Sequence, residues 1–154
     1  MAFEFKLTRQ VEFSETDMAG IAHFSNFFRW MESAEHAFFR SLGLSVHPHS
    51  EDGVWGWARV NADCSFRGPL RYEDVFEMHL LVREKRRRSF EYVVIFRKRE
   101  PGQNGSDPEW VEVARGALTT VCVAKRAGED GIRPISMPRD VDEKIEAAPA
   151  GAID

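Results

Sequence analysis

Polar and apolar residues alternate from the start of the chain. Phe3, Phe5, Leu7, Val11 and Phe13 fall on one side, interrupted by Arg9. Glu4, Lys6, Thr8, Gln10 and Glu12 fall on the other. That period of two predicts a half-buried strand over 3–13. The alternation breaks at Ser14–Gly20. From about Phe24 to Leu42 a helical period takes over, carried by Phe24, Phe27, Phe28, Met31, Phe38 and Leu42. Ser25 or Asn26 is a suitable cap and Gly43 a natural stop. At ~1.5 Å per residue the helix is nearly 30 Å long, the width of a small domain.

Residues 44–53 are polar and read as a loop. Residues 54–67 predict a long strand. Val54, Gly56, Ala58, Val60, Ala62, Cys64 and Phe66 lie on one face, and Trp55, Trp57, Arg59, Asn61, Asp63 and Ser65 on the other. The first face is mostly small, so an aromatic helix is expected to pack against it. Strands follow over 75–85, 90–99 and 110–125, separated by a basic turn and by the loop PGQNGSDP at 101–108. One strand, one long helix and four more strands make an α+β plan, a long central helix wrapped by a five-stranded antiparallel sheet. One domain is expected over 1–137. The tail, 138–154, is expected to hold a short helix after Pro138 and then to be disordered. The sheet face carrying Trp55, Trp57 and the aliphatic rows at 93, 95, 117, 121 and 123 is too apolar to be fully wet, which predicts a dimer or larger assembly.

The chain has 154 residues, 43% hydrophobic and 30% charged, with a formal net charge of −4. This is a single-domain composition and disfavours a general nucleic-acid binder. No stretch reaches the roughly 18–20 apolar residues of a membrane span. The N-terminus alternates and carries charge, so it is not read as a signal peptide, and a cytoplasmic protein is expected. Cys64 and Cys122 lie far apart in strand-like runs and are expected to be buried free thiols. Positive charge is concentrated in REKRRRS, Arg83–Ser89. Arg86, Arg87 and Arg88 with Ser89 form either a solvated hairpin that protects an edge or a clamp on phosphate oxygens.

Asp17 sits alone in the break before the helix. It is either an Asx-turn or cap residue, or a carboxylate beside the positive end of a helix dipole. In the second case the N–H groups of the helix start polarise a carbonyl, and the carboxylate attacks it or activates water against it. His23, at the helix entry, could shuttle a proton or simply bond the helix start. Glu32 and Glu35 are rival carboxylates on the helix. His36 lies four residues after Glu32, an ordinary pair. His47 and His49 flank a proline and make a poor metal site. No P-loop, dinucleotide fingerprint, G-x-S-x-G elbow or zinc spacing is present.

The stretch VEFSETDMAGIAHFSNFFRWMESA resembles the signature of the hotdog-fold acyl-CoA thioesterases, in the 4-hydroxybenzoyl-CoA thioesterase-like family. The sharpest element is D-x-x-G-[IV] followed by aromatic or histidine residues and the helix, here Asp17, Gly20, Ile21, His23, Phe24, Asn26 and Phe27. The later REKRRRSF is similar to the family's CoA-binding turn. The resemblance implies a hotdog fold and a catalytic carboxylate at Asp17, as nucleophile or general base. It also implies that the backbone N–H of Phe24 polarises the thioester carbonyl and that Arg86–Ser89 contact the nucleotide end of CoA. An active site at a homodimer interface, with dimers often pairing into homotetramers, is implied as well, as is the absence of a metal or bound cofactor. Many short-chain acyl-CoA members carry histidine at the Phe24 position, preceded by tyrosine. The pair His23–Phe24 departs from that pattern and leans toward the aromatic-acyl branch. The expected activity is hydrolysis of an acyl-CoA to free acid and CoA. The rivals are a hotdog dehydratase, for which no Asp/His hydratase signature is found, and a hotdog module that binds acyl-CoA without turnover.

Overall fold

The computed structural model describes residues 1–47, 49, 50, 53–126 and 128–154. Part of the loop expected over 44–53, together with the side chain of His49, lies outside the described residues. The elements are β1 (Glu4–Gln10), α1 (Ser25–Ser41), β2 (His49–Ser50), β3 (Gly53–Phe66), β4 (Val75–Lys85), β5 (Ser89–Glu100), β6 (Glu109–Lys125), β7 (Arg133–Pro134) and α2 (Arg139–Lys144). The strands form one antiparallel sheet in the order β1-β4-β5-β6-β3-β2, with β7 paired to β6. Five long strands carry the sheet, as the alternation predicts. The two-residue β2 and β7 are too short to leave a periodic signal.

The sheet curls around α1 because α1 is apolar at helical spacing. Phe27, Trp30, Met31, Ala34 and Phe38 are all buried. Phe27 meets Phe66 and Phe96, and Trp30 meets Phe76, with ring centroids 4.6–5.0 Å apart. Met31 of the helix packs directly over Gly116 of β6. A Cβ there would collide with Met31 Sδ and lie 2.8 Å from the Asp63 carbonyl oxygen. Gly116→Ala is therefore expected to destabilise the fold by about 1–3 kcal/mol, read as a lower urea midpoint.

The expected two-faced alternation of β3 fails at one point. Arg59 pairs with Thr120 and Asn61 with Thr119, which leaves Val60 as an extra residue in a β-bulge. The bulge reverses the facing of the strand. Before it, Trp57 packs on Phe39 and Phe90, and Arg59 reaches Glu35 on the helix. After it, Cys64 and Phe66 turn inward. Trp57 is thus a core residue and not part of an outer apolar face.

The chain's own tail covers part of that face. Ala148, Ala152 and Ile153 pack on Leu81, Val93 and Ile95. The Ala148 N–H donates to the Val82 carbonyl at 2.7 Å, and Arg115 donates to the Ile153 carbonyl at 2.9 Å. The core also continues past residue 137 through Val141 and Ile145. The small residues of AAPAGAID read as frayed, yet their size is what lets the backbone lie flat on the sheet. The rows at 93 and 95 therefore give no reason to invoke a second subunit.

Both cysteines are free, Cys122 buried and Cys64 half-buried. Burial pushes both thiols up to about 11, with Asp63 adding to the effect at Cys64. Burial thus disfavours the reactive thiolate form of both.

Candidate active site

Strand β1 ends at Gln10, three residues short of the expected Phe13, because Phe13–Glu15 wind into one 3₁₀ turn. Phe13 is 75% exposed as a result. The turn delivers Glu15 to the interior and Asp17 to a tight loop. The Asp17 N–H donates to the Ile21 carbonyl at 2.9 Å, and the Gly20 N–H donates to the Asp17 carbonyl at 3.0 Å. Gly20 sits at φ +80°, the left-handed region that its missing Cβ allows. One carboxylate oxygen of Asp17, Oδ1, accepts the Ala19 N–H at 2.8 Å. The expected Asx-turn is thus real. It uses one oxygen and leaves Oδ2 without a partner among the described residues.

Helix α1 begins one residue later than predicted, and neither Ser25 nor Asn26 caps it. The N-cap position is Phe24, which makes no side-chain cap. His23 serves locally instead. Its Nδ1 accepts the Ser25 N–H at 3.3 Å and bonds the Ser25 hydroxyl at 2.8 Å, and its ring lies 4.5 Å from that of Phe24. The Asn26 amide donates to the Glu15 carbonyl at 2.8 Å.

The N–H groups at this helix start are nearly all engaged. His23 donates to the Glu15 carbonyl, Asn26 to the His23 carbonyl and Phe27 to the Phe24 carbonyl. The Phe24 N–H has no acceptor among the described residues. Asp17 and Phe24 line one cleft of about 340 Å³ together with Phe27, Phe66, Pro69 and Leu70. A residue whose carboxylate keeps one free oxygen and a residue whose N–H is free at the positive end of a helix thus line the same apolar-walled space. Such an arrangement suits a carbonyl that gains negative charge as it reacts. His23 does not line the cleft. Its observed contact is a hydrogen bond at the helix start.

The other sequence candidates lie elsewhere. Glu35 is buried and held by both terminal nitrogens of Arg59 at 2.9 and 3.0 Å. Glu32 and Glu35 each lie 3.7 Å from His36. All four residues line a second cavity of about 550 Å³ between α1 and the first half of β3, bounded also by Trp55 and Trp57. Among the described residues no group of three His, Cys, Asp or Glu could hold a metal.

The basic turn joins β4 to β5. Arg86 makes two 2.8 Å bonds to the Glu84 carboxylate, and Arg87 Nε donates to the Ser136 hydroxyl at 2.8 Å. The Arg88 guanidinium has no partner among the described residues, and the Ser89 carbonyl accepts the Arg86 N–H. This turn sits at the opposite end of the sheet from Asp17. The Asp17 loop packs against Leu70 and Arg71, before β4 begins, and the turn follows where β4 ends. An eleven-residue strand separates them, roughly 35 Å at ~3.3 Å per residue. Within one chain the expected carboxylate and the expected nucleotide clamp do not meet.

Glu15 was missed by sequence reasoning. Its buried carboxylate accepts Arg9 Nη2 at 2.8 Å, Trp30 Nε1 at 2.7 Å and the Glu12 N–H at 2.8 Å. A glutamate three residues after another, at the mouth of a loop, is a faint capping-box signal and was the only one available.

The sequence matches the family described as the Thioesterase-like superfamily over residues 11–145. A hypothetical protein from Aquifex aeolicus has a crystal structure 30% identical to this chain, with a TM-score of 0.72, covering 92% of this chain and 99% of that one. The structure of the D17N mutant of 4-hydroxybenzoyl CoA thioesterase complexed with 4-hydroxybenzoyl CoA is 25% identical, with a TM-score of 0.73, covering 92% of this chain and 98% of that one. The 4-hydroxybenzoyl-CoA thioesterase of Pseudomonas sp. strain CBS-3 is 33% identical over 92 residues, 58% of this chain and 65% of that one. These likenesses bear out the hotdog architecture. No helix among the described residues is long and apolar enough to cross a membrane.

Proposed function

Because the chain belongs to the Thioesterase-like superfamily, we propose that it hydrolyses an aryl- or acyl-CoA thioester to the free acid and CoA, with Asp17 as the reacting carboxylate. The observation that carries this is the shared cleft, lined both by Asp17, which keeps one carboxylate oxygen free, and by Phe24, whose N–H is unpaired among the described residues. The N–H stabilises the oxyanion. The carboxylate either attacks the carbonyl, expelling the CoA thiolate and leaving a mixed anhydride that water opens, or takes a proton from the water that attacks. A screen of aryl and aliphatic acyl-CoA esters, read by release of the CoA thiol, tests the activity. Hydrolysis of none of them would sink the reading.

The working unit is a two-fold dimer. Strand β3 pairs with β6 on one side, and on the other, among the described residues, it meets only the two residues of β2. Residues 55–66 therefore offer a long unpaired edge, and an isologous edge-to-edge pairing is the ordinary way to cover one. Pairing across a two-fold axis is antiparallel. It brings the beginning of the partner's β3 beside the end of this one. Phe66, at the end, lines the Asp17 cleft, whereas Ala58 pairs with Val121, and Val121 pairs with Ser89 of the basic turn. The partner's basic turn and its cavity between α1 and β3 then lie toward this chain's Asp17. The thioester sits at the seam, the acyl group extends into the larger aromatic-lined cavity, and the CoA phosphates reach the arginines. Replacing Arg86, Arg87 and Arg88 together with alanine is expected to raise KM for CoA esters by about tenfold or more and to spare esters of pantetheine. An equal effect on both thiols contradicts the clamp.

A further inference from the structure

We propose that Glu15 is a positioning residue for this reaction, fixing the separation between Asp17 and the Phe24 N–H. The inference rests on Asp17 being the reacting carboxylate. Asp17 and Phe24 belong to different pieces of backbone, a loop and a helix start, and only cross-links hold them in register. Glu15 supplies several of those links, beside the Thr16–Ala22 bridge and the Asp17–Ile21 bond. Its carboxylate ties the loop to Arg9 on β1 and to Trp30 on α1. Its Oε1 accepts the Glu12 N–H and closes the turn that leads to Asp17. Its backbone carbonyl accepts both the His23 N–H, one residue before Phe24, and the Asn26 side chain, two residues after it. Five hydrogen bonds of 2.7–2.9 Å thus converge on one buried residue that does not line the cleft. Glu15 is two residues from Asp17 and cannot move without moving it.

Glutamine cannot replace this carboxylate. The three groups facing it, Arg9, Trp30 and the Glu12 N–H, are all donors. A carboxylate offers two acceptor oxygens, whereas an amide offers one and turns its NH₂ toward other donors. Glu15→Gln therefore releases at least one anchor while nearly preserving volume. A displacement of ~1 Å at a reacting group costs about 10²-fold in rate.

The test is a double-mutant cycle on kcat, measured per folded enzyme with an aryl-CoA ester. Glu15→Gln is expected to lower kcat by about 10- to 100-fold and to leave KM within about threefold. In an Asp17→Asn background the same change is expected to cost less than about twofold, because it acts through the group already removed. A fall in melting temperature with kcat unchanged overturns the proposal, as does an equal loss in both backgrounds. Should Glu15→Gln fail to fold, Trp30→Phe carries the test. It deletes one donor and keeps a ring in the core, and a drop in kcat of the same kind supports the proposal, whereas unchanged kcat overturns it. An Asp17→Asn variant with normal turnover is a different failure, that of the proposed reaction itself.

Discussion

Asp17→Asn is expected to lower thioester hydrolysis by at least about 10²-fold, the scale of a lost acid–base or nucleophilic group. The substitution isolates the charge. Asparagine keeps an oxygen that can accept the Ala19 N–H, so the loop closed by Ile21 and Gly20 is retained. What disappears is the second oxygen, the one without a partner, as an anionic nucleophile or base. The apolar walls of the cleft and the Phe24 N–H remain, so KM is expected to change little and the loss to fall on kcat. The readout is release of CoA thiol at saturating ester, with circular dichroism as the check on folding. Turnover within about threefold of the parent excludes Asp17 as the reacting group.

Trp30→Ala is expected to have the largest effect on stability, about 3–5 kcal/mol. The ring is 1% exposed and packs among Phe27, Phe76 and Phe96. Its indole N–H is also one of the three donors to Glu15. Truncation leaves a large void and strips a buried carboxylate of a partner, and the two costs add. Urea unfolding measures the loss. A shift under about 1 kcal/mol means that the aromatic cluster is not the centre of the fold.

These two residues mark what the chain discloses by itself. Trp30 belongs to a helical period that survives in the sequence, and the strands on either side alternate cleanly. The helix, the five long strands and the loop holding Asp17 are therefore legible, because each is a local pattern written in side-chain polarity. Features that depend on backbone pairing are not. The bulge at Val60 leaves no trace in composition, yet it turns Trp57 and Arg59 toward the helix. The tail looks disordered because its residues are small, and it is ordered because small residues lie flat on Val93 and Ile95. The free N–H of Phe24 depends on what its neighbours bond to, which no pattern of residues states. Glu15 reads as one more surface glutamate until Arg9 and Trp30 are seen to face it.

The basic turn offers the sharpest contrast. REKRRRSF is visible in the sequence, but its distance from Asp17 is not, since both stand at ends of the same strand layer. That distance requires each proposed site to be built from two subunits. Co-expression of the Asp17→Asn chain with a chain lacking Arg86, Arg87 and Arg88 tests it most directly, with activity measured on CoA ester well below KM. Each mixed dimer then holds one site with an intact carboxylate from one subunit and an intact turn from the other. Random pairing makes half the dimers mixed, so activity is predicted to recover to roughly a quarter of the parent's. If the carboxylate and the turn of a single chain serve the same site, no site is complete. Activity then stays at the average of the two separate variants, which contradicts the account.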